Sequence, residues 1–175
     1  MRKIDLHIHT KKSISDANFI FSIEKLNEYV TTLSIDCIAI TNHNLFDLTQ
    51  FLTISQTLVI KVLPGIEINL EKGHLLLIGD ENEIEDFENK CKKVEALVNS
   101  STDYITVVQL KEIFIDLGRY LLIPHYDKKP IIQPEVIEEL KAFISAGEVA
   151  SQKKFLYCMK DKLSLIPVLF SDQRF

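Results

Sequence analysis

The sequence predicts an α/β protein whose strands close into a distorted seven-stranded β/α barrel. Three observations lead there. Seven strand-like runs recur along 175 residues, most are separated by segments with helical apolar spacing, and several are aliphatic along their whole length. Strands alternating with helices make a mostly parallel sheet under a cover of helices, and strands buried on both faces read as continuous aliphatic runs. A chain of this length fits one domain, so residues 1–175 are expected to form a single unit.

The first run, 4–9, reads "IDLHIH". Alternation in a strand puts Ile4, Leu6 and Ile8 on one face and Asp5, His7 and His9 on the other. Ile23, Leu26, Val30 and Leu33 follow at helical spacing. Further strands are expected over 37–43, 59–68, 74–78, 120–125, 147–150 and 165–170. "EKG" at 71–73 reads as the hairpin turn joining the third strand to the fourth. Helical spacing returns in Ile84, Phe87, Cys91, Val94 and Leu97, and again in Leu110, Ile113, Phe114 and Leu117, stopped by Gly118. Another helix starts near Pro134 and runs through Val136, Ile137, Leu140 and Phe143, and a short one covers 155–159. The sequence stops soon after the seventh strand with no helix to cover it, so a domain of a longer protein or assembly is expected.

Composition narrows the function classes. The longest aliphatic stretch is "LLLI" at 75–78 and the first ten residues hold no apolar signal core, so a cytoplasmic protein without membrane insertion is expected. Cys37, Cys91 and Cys158 are odd in number and form no CxxC pair, which argues against a disulfide framework and a thiolate zinc site. A net charge of −5 disfavours broad attraction to nucleic acid, although bound divalent cations would reverse the field locally.

All five histidines fall at strand ends: His7 and His9, His43 in "ITNHN", His74 in "GHLLLIG" and His125 in "LIPHYD". In parallel β/α folds chemistry gathers at the carboxyl ends of the strands. Glu67 in "LPGIEIN" and Asp172 in "LFSDQR" join them there. A buried carboxylate is stable at such a place only when paired or metal-bound. Imidazole with carboxylate is the donor set of borderline divalent metals, and a glutamate can bridge two of them. Singly, each residue has a plainer explanation: His74 as a turn cap, His125 as a core histidine, Asp172 as a helix N-cap. Their joint placement carries the inference.

In this order the residues resemble the PHP (polymerase and histidinol phosphatase) family of metal-dependent phosphoesterases, across essentially the whole chain. The opening "DLHIH", the "NH" after the second strand, Glu67, "GHLLLIG", "PH" and the final "DQR" follow that family's motif order. The resemblance implies a PHP-type barrel with His7, His9, Glu67 and Asp172 on a first metal and Glu67 bridging to a second held by His74 and His125. A third site would take Asp16 and His43 with the histidine that ends the family's last motif. Here Arg174 stands at that position, and Asn42 stands where the family has an aspartate before the histidine. Arginine has no lone pair to offer, so two divalent ions (zinc, manganese or iron) are expected, with a third weak or absent and Arg174 acting as a phosphate clamp. More narrowly, "DLHIHT", "TNHN" and "HYDKKP" look like the PHP module of TrlF-type AAA-like ATPases, which implies an ATPase partner or a fused ATPase domain.

The function expected is hydrolysis of phosphate esters by a metal-bridging hydroxide, with nucleic acid among the substrates. Lysine pairs at 11–12, 128–129 and 153–154 follow the first, fifth and sixth strands and would place cations around the same mouth. Two alternatives stay open. One is a metal-stabilised regulatory or partner-binding module that has lost turnover, favoured by Asn42 and Arg174. The other is an amidohydrolase-like barrel, against which the short chain counts.

Overall fold

The computed structural model describes residues 2–71, 73–160 and 165–175. Its elements are β1 (Ile4–His9), α1 (Ile23–Leu33), β2 (Cys37–Ile40), α2 (Leu48–Thr57), β3 (Lys61–Leu70), β4 (Gly73–Ile78), α3 (Ile84–Leu97), α4 (Val107–Ile113), β5 (Leu121–Asp127), α5 (Pro134–Leu140), β6 (Gly147–Val149), α6 (Gln152–Lys160), β7 (Pro167–Val168) and β8 (Gln173–Arg174). The strands form one sheet in the order β7-β6-β5-β4-β3-β2-β1-β8, curled into a half-barrel. Pairing is parallel except at β3–β4 and β4–β5. The distorted barrel expected from the sequence is present, with an eighth strand added. β8 is two residues long, too short to show periodicity, and it returns to lie beside Ile8 and His9.

Local signals place most of the helices. Ser22 caps α1 by accepting the Lys25 amide, and Thr106 with Gln109 forms a capping box at α4. α4 ends at Ile113, and its expected continuation to Leu117 becomes a 3-10 turn over 117–119. α2, which the sequence reading leaves out, is capped by Asp47 and buries only Phe51 and Ile54, so its apolar face is too thin to read. Across the expected hairpin Leu70 pairs with Gly73; Lys72 within it lies outside the described residues.

The sheet separates two cores. The larger lies between sheet and helices and gathers Ile8, Ile38, Ile40, Ile66, Ile68, Leu75 and Leu77 with Leu26, Val30, Phe51, Phe87, Cys91 and Leu110. The smaller draws on strands and their flanks alone, Leu6, Ala39, Leu76, Ile78, Ile123 and Ala146, and fills the inner face. Alternation along β4 assigns Leu76 and Ile78 inward and Leu75 and Leu77 outward.

β1 departs from the simple alternation expected of it. Asp5 pairs with Ile38 and Ile8 with Ile40, so β1 carries one residue more than β2 between these points, a β-bulge. Leu6 therefore joins the inner core while Asp5 accepts the Tyr29 hydroxyl of α1 at 2.6 Å. Asp5 also accepts the Ser171 amide at 3.2 Å, tying the approach to Asp172 onto β1. Only the two histidines of the opening motif remain on the ligand side.

Candidate metal centre

Above the inner apolar layer the same strand faces turn polar. His7 and His9 end β1, Glu67 sits late in β3, and His125 late in β5. His74 opens β4, but β4 runs antiparallel to β3 and pairs His74 with Asn69, so it reaches the same end of the sheet. His43, past the end of β2, is fixed by a backbone bridge to Glu67, whose carbonyl accepts the Asn44 amide at 2.7 Å. Asp172 follows β7 with φ 51°, a left-handed conformation that aspartate tolerates better than most residues.

Glu67, fully buried, touches every histidine of the chain. Its Oε2 lies 2.9 Å from His7 Nε2, 3.2 Å from His9 Nε2 and 3.2 Å from His43 Nδ1. Its Oε1 lies 2.7 Å from His74 Nδ1 and 3.2 Å from His125 Nε2. Asp172 Oδ1 is 3.1 Å from His9 Nε2 and 3.4 Å from His7 Nε2. The candidate ligands His7, His9, Glu67, His74, His125 and Asp172 thus meet in one cluster. Two clefts open beside it, about 240 Å³ at His43 and about 190 Å³ at His74.

Electrostatics follow from this crowding. Burial opposes ionisation of Glu67, yet the histidines around it, His7 foremost, hold its carboxyl well below the usual range. Burial likewise opposes charge on His7, but Glu67 and Glu148 raise its pKa to about 9. His125 is raised despite burial by the same two carboxylates. His43 goes the other way, to about 4, because burial and the neighbouring His9 and His74 outweigh Glu67. Asp172 is depressed against its burial by His9, His7 and Lys128.

The donor set fits divalent metal ions. His7 Nε2 and His9 Nε2 face each other at 3.1 Å, although only one proton can lie between two such nitrogens. His9 Nδ1, His43 Nδ1 and both nitrogens of His125 are buried without a hydrogen bond. Ligand atoms around a tetrahedral ion stand roughly 3.3–3.6 Å apart, and around an octahedral one roughly 3 Å. Four groups of three donors have their ligand atoms within 4.8 Å of one another: His7–His9–Asp172, His9–His43–Glu67, Glu67–His74–His125 and His7–His125–Glu148.

Asp16 stands apart from these groups. It lies 3.9 Å from His43 Nε2 and instead takes Arg174 Nε at 3.0 Å, while Arg174 Nη1 reaches Asp172 Oδ1 at 3.3 Å. Asn42 accepts the amides of Thr10 and Lys11 at 2.7 and 2.8 Å, anchoring the segment after β1. The expected lysine rim is largely spent on neighbours: Lys11 pairs with Asp47, Lys12 with Asn18 and Lys154 with Asp127.

Sequence reasoning missed Glu148 and the depth of Lys128. Glu148 lies inside β6, fully buried, with Oε2 2.9 Å from His7 Nδ1 and 3.3 Å from His125 Nε2. Burial raises its carboxyl, but His125, His7 and Lys128 together bring it down to about 2. A lone glutamate in the small apolar run "AGEVA" was the signal available, since a buried acid needs a partner.

A half-barrel whose inner mouth gathers five histidines around one glutamate, with no thiolate, has the architecture of a metal-dependent hydrolase. The PHP domain family model matches residues 5–163, and the chain belongs to that family. Among solved structures, a protein of Bifidobacterium adolescentis bearing the name metal-dependent phosphoesterase superposes with a TM-score of 0.61 at 14% identity, over 98% of this chain and 87% of that one. A two-domain protein of Bacteroides vulgatus containing a predicted PHP-like metal-dependent phosphoesterase gives 0.54 at 16%, over 98% of this chain and 51% of that one. An amidohydrolase of Chromobacterium violaceum gives 0.52 at 14%, over 97% and 87%. Among curated proteins none matches. Among the described residues no helix is long and apolar enough to cross a membrane.

Proposed function

We propose that this PHP domain hydrolyses phosphate esters with two divalent ions held on either side of Glu67. The observation that carries the proposal is the division of Glu67: one oxygen faces His7, His9 and His43, the other His74 and His125. Ions bound there would supply an activated water and charge for the phosphoryl oxygens, as in other two-metal sites about 3.5–4 Å apart.

The chain's own residues set the stage for that chemistry. Glu148 accepts a hydrogen bond from His7 Nδ1–H and so turns Nε2 toward the centre. His43, kept neutral, offers a lone pair at working pH. Arg174 is one-third exposed beside Asp172, where its guanidinium can give two hydrogen bonds to a phosphoryl group. With Asp16 engaged by Arg174, the third ion of the family pattern is replaced by a fixed cation. The clefts at His43 and His74 suit a small ester group, and a nucleic-acid end is the larger substrate to test.

The test compares aryl phosphate monoester, aryl phosphodiester and single-stranded oligonucleotide, with added manganese, zinc or ferrous iron, against His7→Ala. Metal-dependent hydrolysis by the parent and its loss in the variant is the expected result. Equal rates in parent and variant, or no hydrolysis with any of these metals, would overturn the proposal.

A further inference from the structure

Lys128 enters the ligand cluster from beyond the end of β5. Its side chain is only 12% exposed, and its ammonium lies 2.7 Å from Glu148 Oε1, 3.1 Å from Asp172 Oδ2 and 2.9 Å from His7 Nδ1. An ammonium has N–H donors and no acceptor, and here it is held between two carboxylates, Glu148 of β6 and Asp172 beyond β7, with the His7 ring packed beside it. The backbone that delivers it is pinned on both sides. Asp127 accepts the Ala150 amide at 3.1 Å and the Lys154 ammonium at 2.8 Å, and His125 accepts the Ile132 amide at 3.0 Å. A loop lysine would sample solvent; this one is held in place.

The contacts bear on two of the four donor groups. Lys128 meets two members of the His7–His125–Glu148 corner and also Asp172, which belongs to the His7–His9–Asp172 group. Glu148 has no exposure, so its charge needs a permanent partner. His7 already directs Nε2 toward Glu67 and His9, which leaves only Nδ1 for this corner. A divalent ion and an ammonium cannot both sit against the same carboxylate oxygens.

We propose that Lys128 is a built-in competitor of the metal ions: its ammonium occupies the cation position at the His7–His125–Glu148 corner and shares Asp172 with the neighbouring ion. The corner then takes lysine in place of a further metal, and the affinity at Asp172 is set below what its ligands alone would give. This rests on the Glu67 cluster being a metal centre. It adds that the number and tightness of bound ions are limited by a side chain outside the ligand set.

The test reads metal binding and needs no turnover. Manganese and zinc are titrated calorimetrically into parent, Lys128→Met and Lys128→Arg, metal content is measured after dialysis, and circular dichroism checks the fold. Lys128→Met is expected to bind its first ion at least about tenfold tighter, or to retain one more ion per chain, because a positive charge beside the site is gone. Lys128→Arg is expected to match the parent. A folded Lys128→Met with the parent's affinity and stoichiometry, or with weaker binding, overturns the proposal. If Lys128→Met does not fold, Lys128→Met with Glu148→Gln, which leaves no unpaired carboxylate, is compared with Glu148→Gln alone; tighter binding in the double variant supports the proposal and equal binding overturns it. A parent that binds ions in this way but hydrolyses no phosphate ester refutes the phosphoesterase reading and leaves Lys128's role intact. A chain that binds no divalent ion with or without Lys128 refutes both.

Discussion

Leu76 and His74 lie on the same inner face of the same strand, as do Leu63 and Glu67, and Ile123 and His125, while Ala146 just before β6 stands in the same relation to Glu148. The lower member of each pair packs against other apolar side chains and has no polar atom to satisfy. Of the upper members Glu67, His125 and Glu148 are buried and His74 is partly so, yet each carries charge or a ring nitrogen. One layer is held by exclusion of water and tolerates apolar side chains of similar volume. The other is held by mutual compensation, in which His7, His125 and His74 keep Glu67 ionised against its burial. The floor makes the ceiling possible, since without an apolar layer beneath it water would screen the interactions that set Glu67, His7 and Glu148 apart from exposed groups.

Breaking the upper layer at its centre should have the largest effect. Glu67→Ala removes the group that all five histidines share, so metal content should fall and metal-dependent hydrolysis drop by ~100-fold or more. Metal analysis and initial rates check this, and a variant with the parent's metal content would separate Glu67 from the centre.

Breaking the floor should act differently. Leu76→Ala, at a position with no exposure, should destabilise the fold by about 2–5 kcal/mol. Ions bound per folded chain should stay unchanged. Denaturant unfolding beside metal analysis decides whether the two layers are separable in this way.

Glu148→Gln tests the edge of the polar layer. It keeps the shape but loses the carboxylate that orients His7, and metal affinity should weaken by about 10–100-fold with the fold retained. The smallest effect per step comes from pH. His7, with its pKa raised from 6.5 to about 9, adds stability to the metal-free protein below pH 6.5 and loses it as pH rises through about 9. A metal ion competes with that proton, so affinity should climb by about tenfold per pH unit toward pH 9 and then level. Calorimetry in buffers of different ionisation heat would register the released proton, and an affinity flat between pH 7 and 9 would remove His7 from the ligand set.

The contrast between layers also explains what the sequence could reveal. His43, His74 and His125 were legible because a histidine at a strand end, repeated from strand to strand, has no use in an apolar core. Glu148 was not, because "AGEVA" has too few residues to fix which face the acid occupies. Lys128 looks like any lysine of a turn in "DKKP" until the fold brings Glu148 and Asp172 beneath it. α2 escaped because two buried residues leave no stripe. The barrel was readable from the alternation of strands and helices, but β8 was not, since two residues have no period.

The bulge in β1 gives the opening motif two separate addresses. Counted from Ile8 onward, the strand is in frame with Glu67 and the histidine cluster; counted back from Asp5, it is in frame with Tyr29 on α1. The strand is one codon longer than its ladder needs. Loss of the Leu6 codon would restore regular pairing and keep both histidines facing inward, so the lesion would be a hole in the floor, not a missing ligand. Heredity can therefore retune the two ends of "DLHIH" independently, the aspartate with the helix and the histidines with the carboxylate.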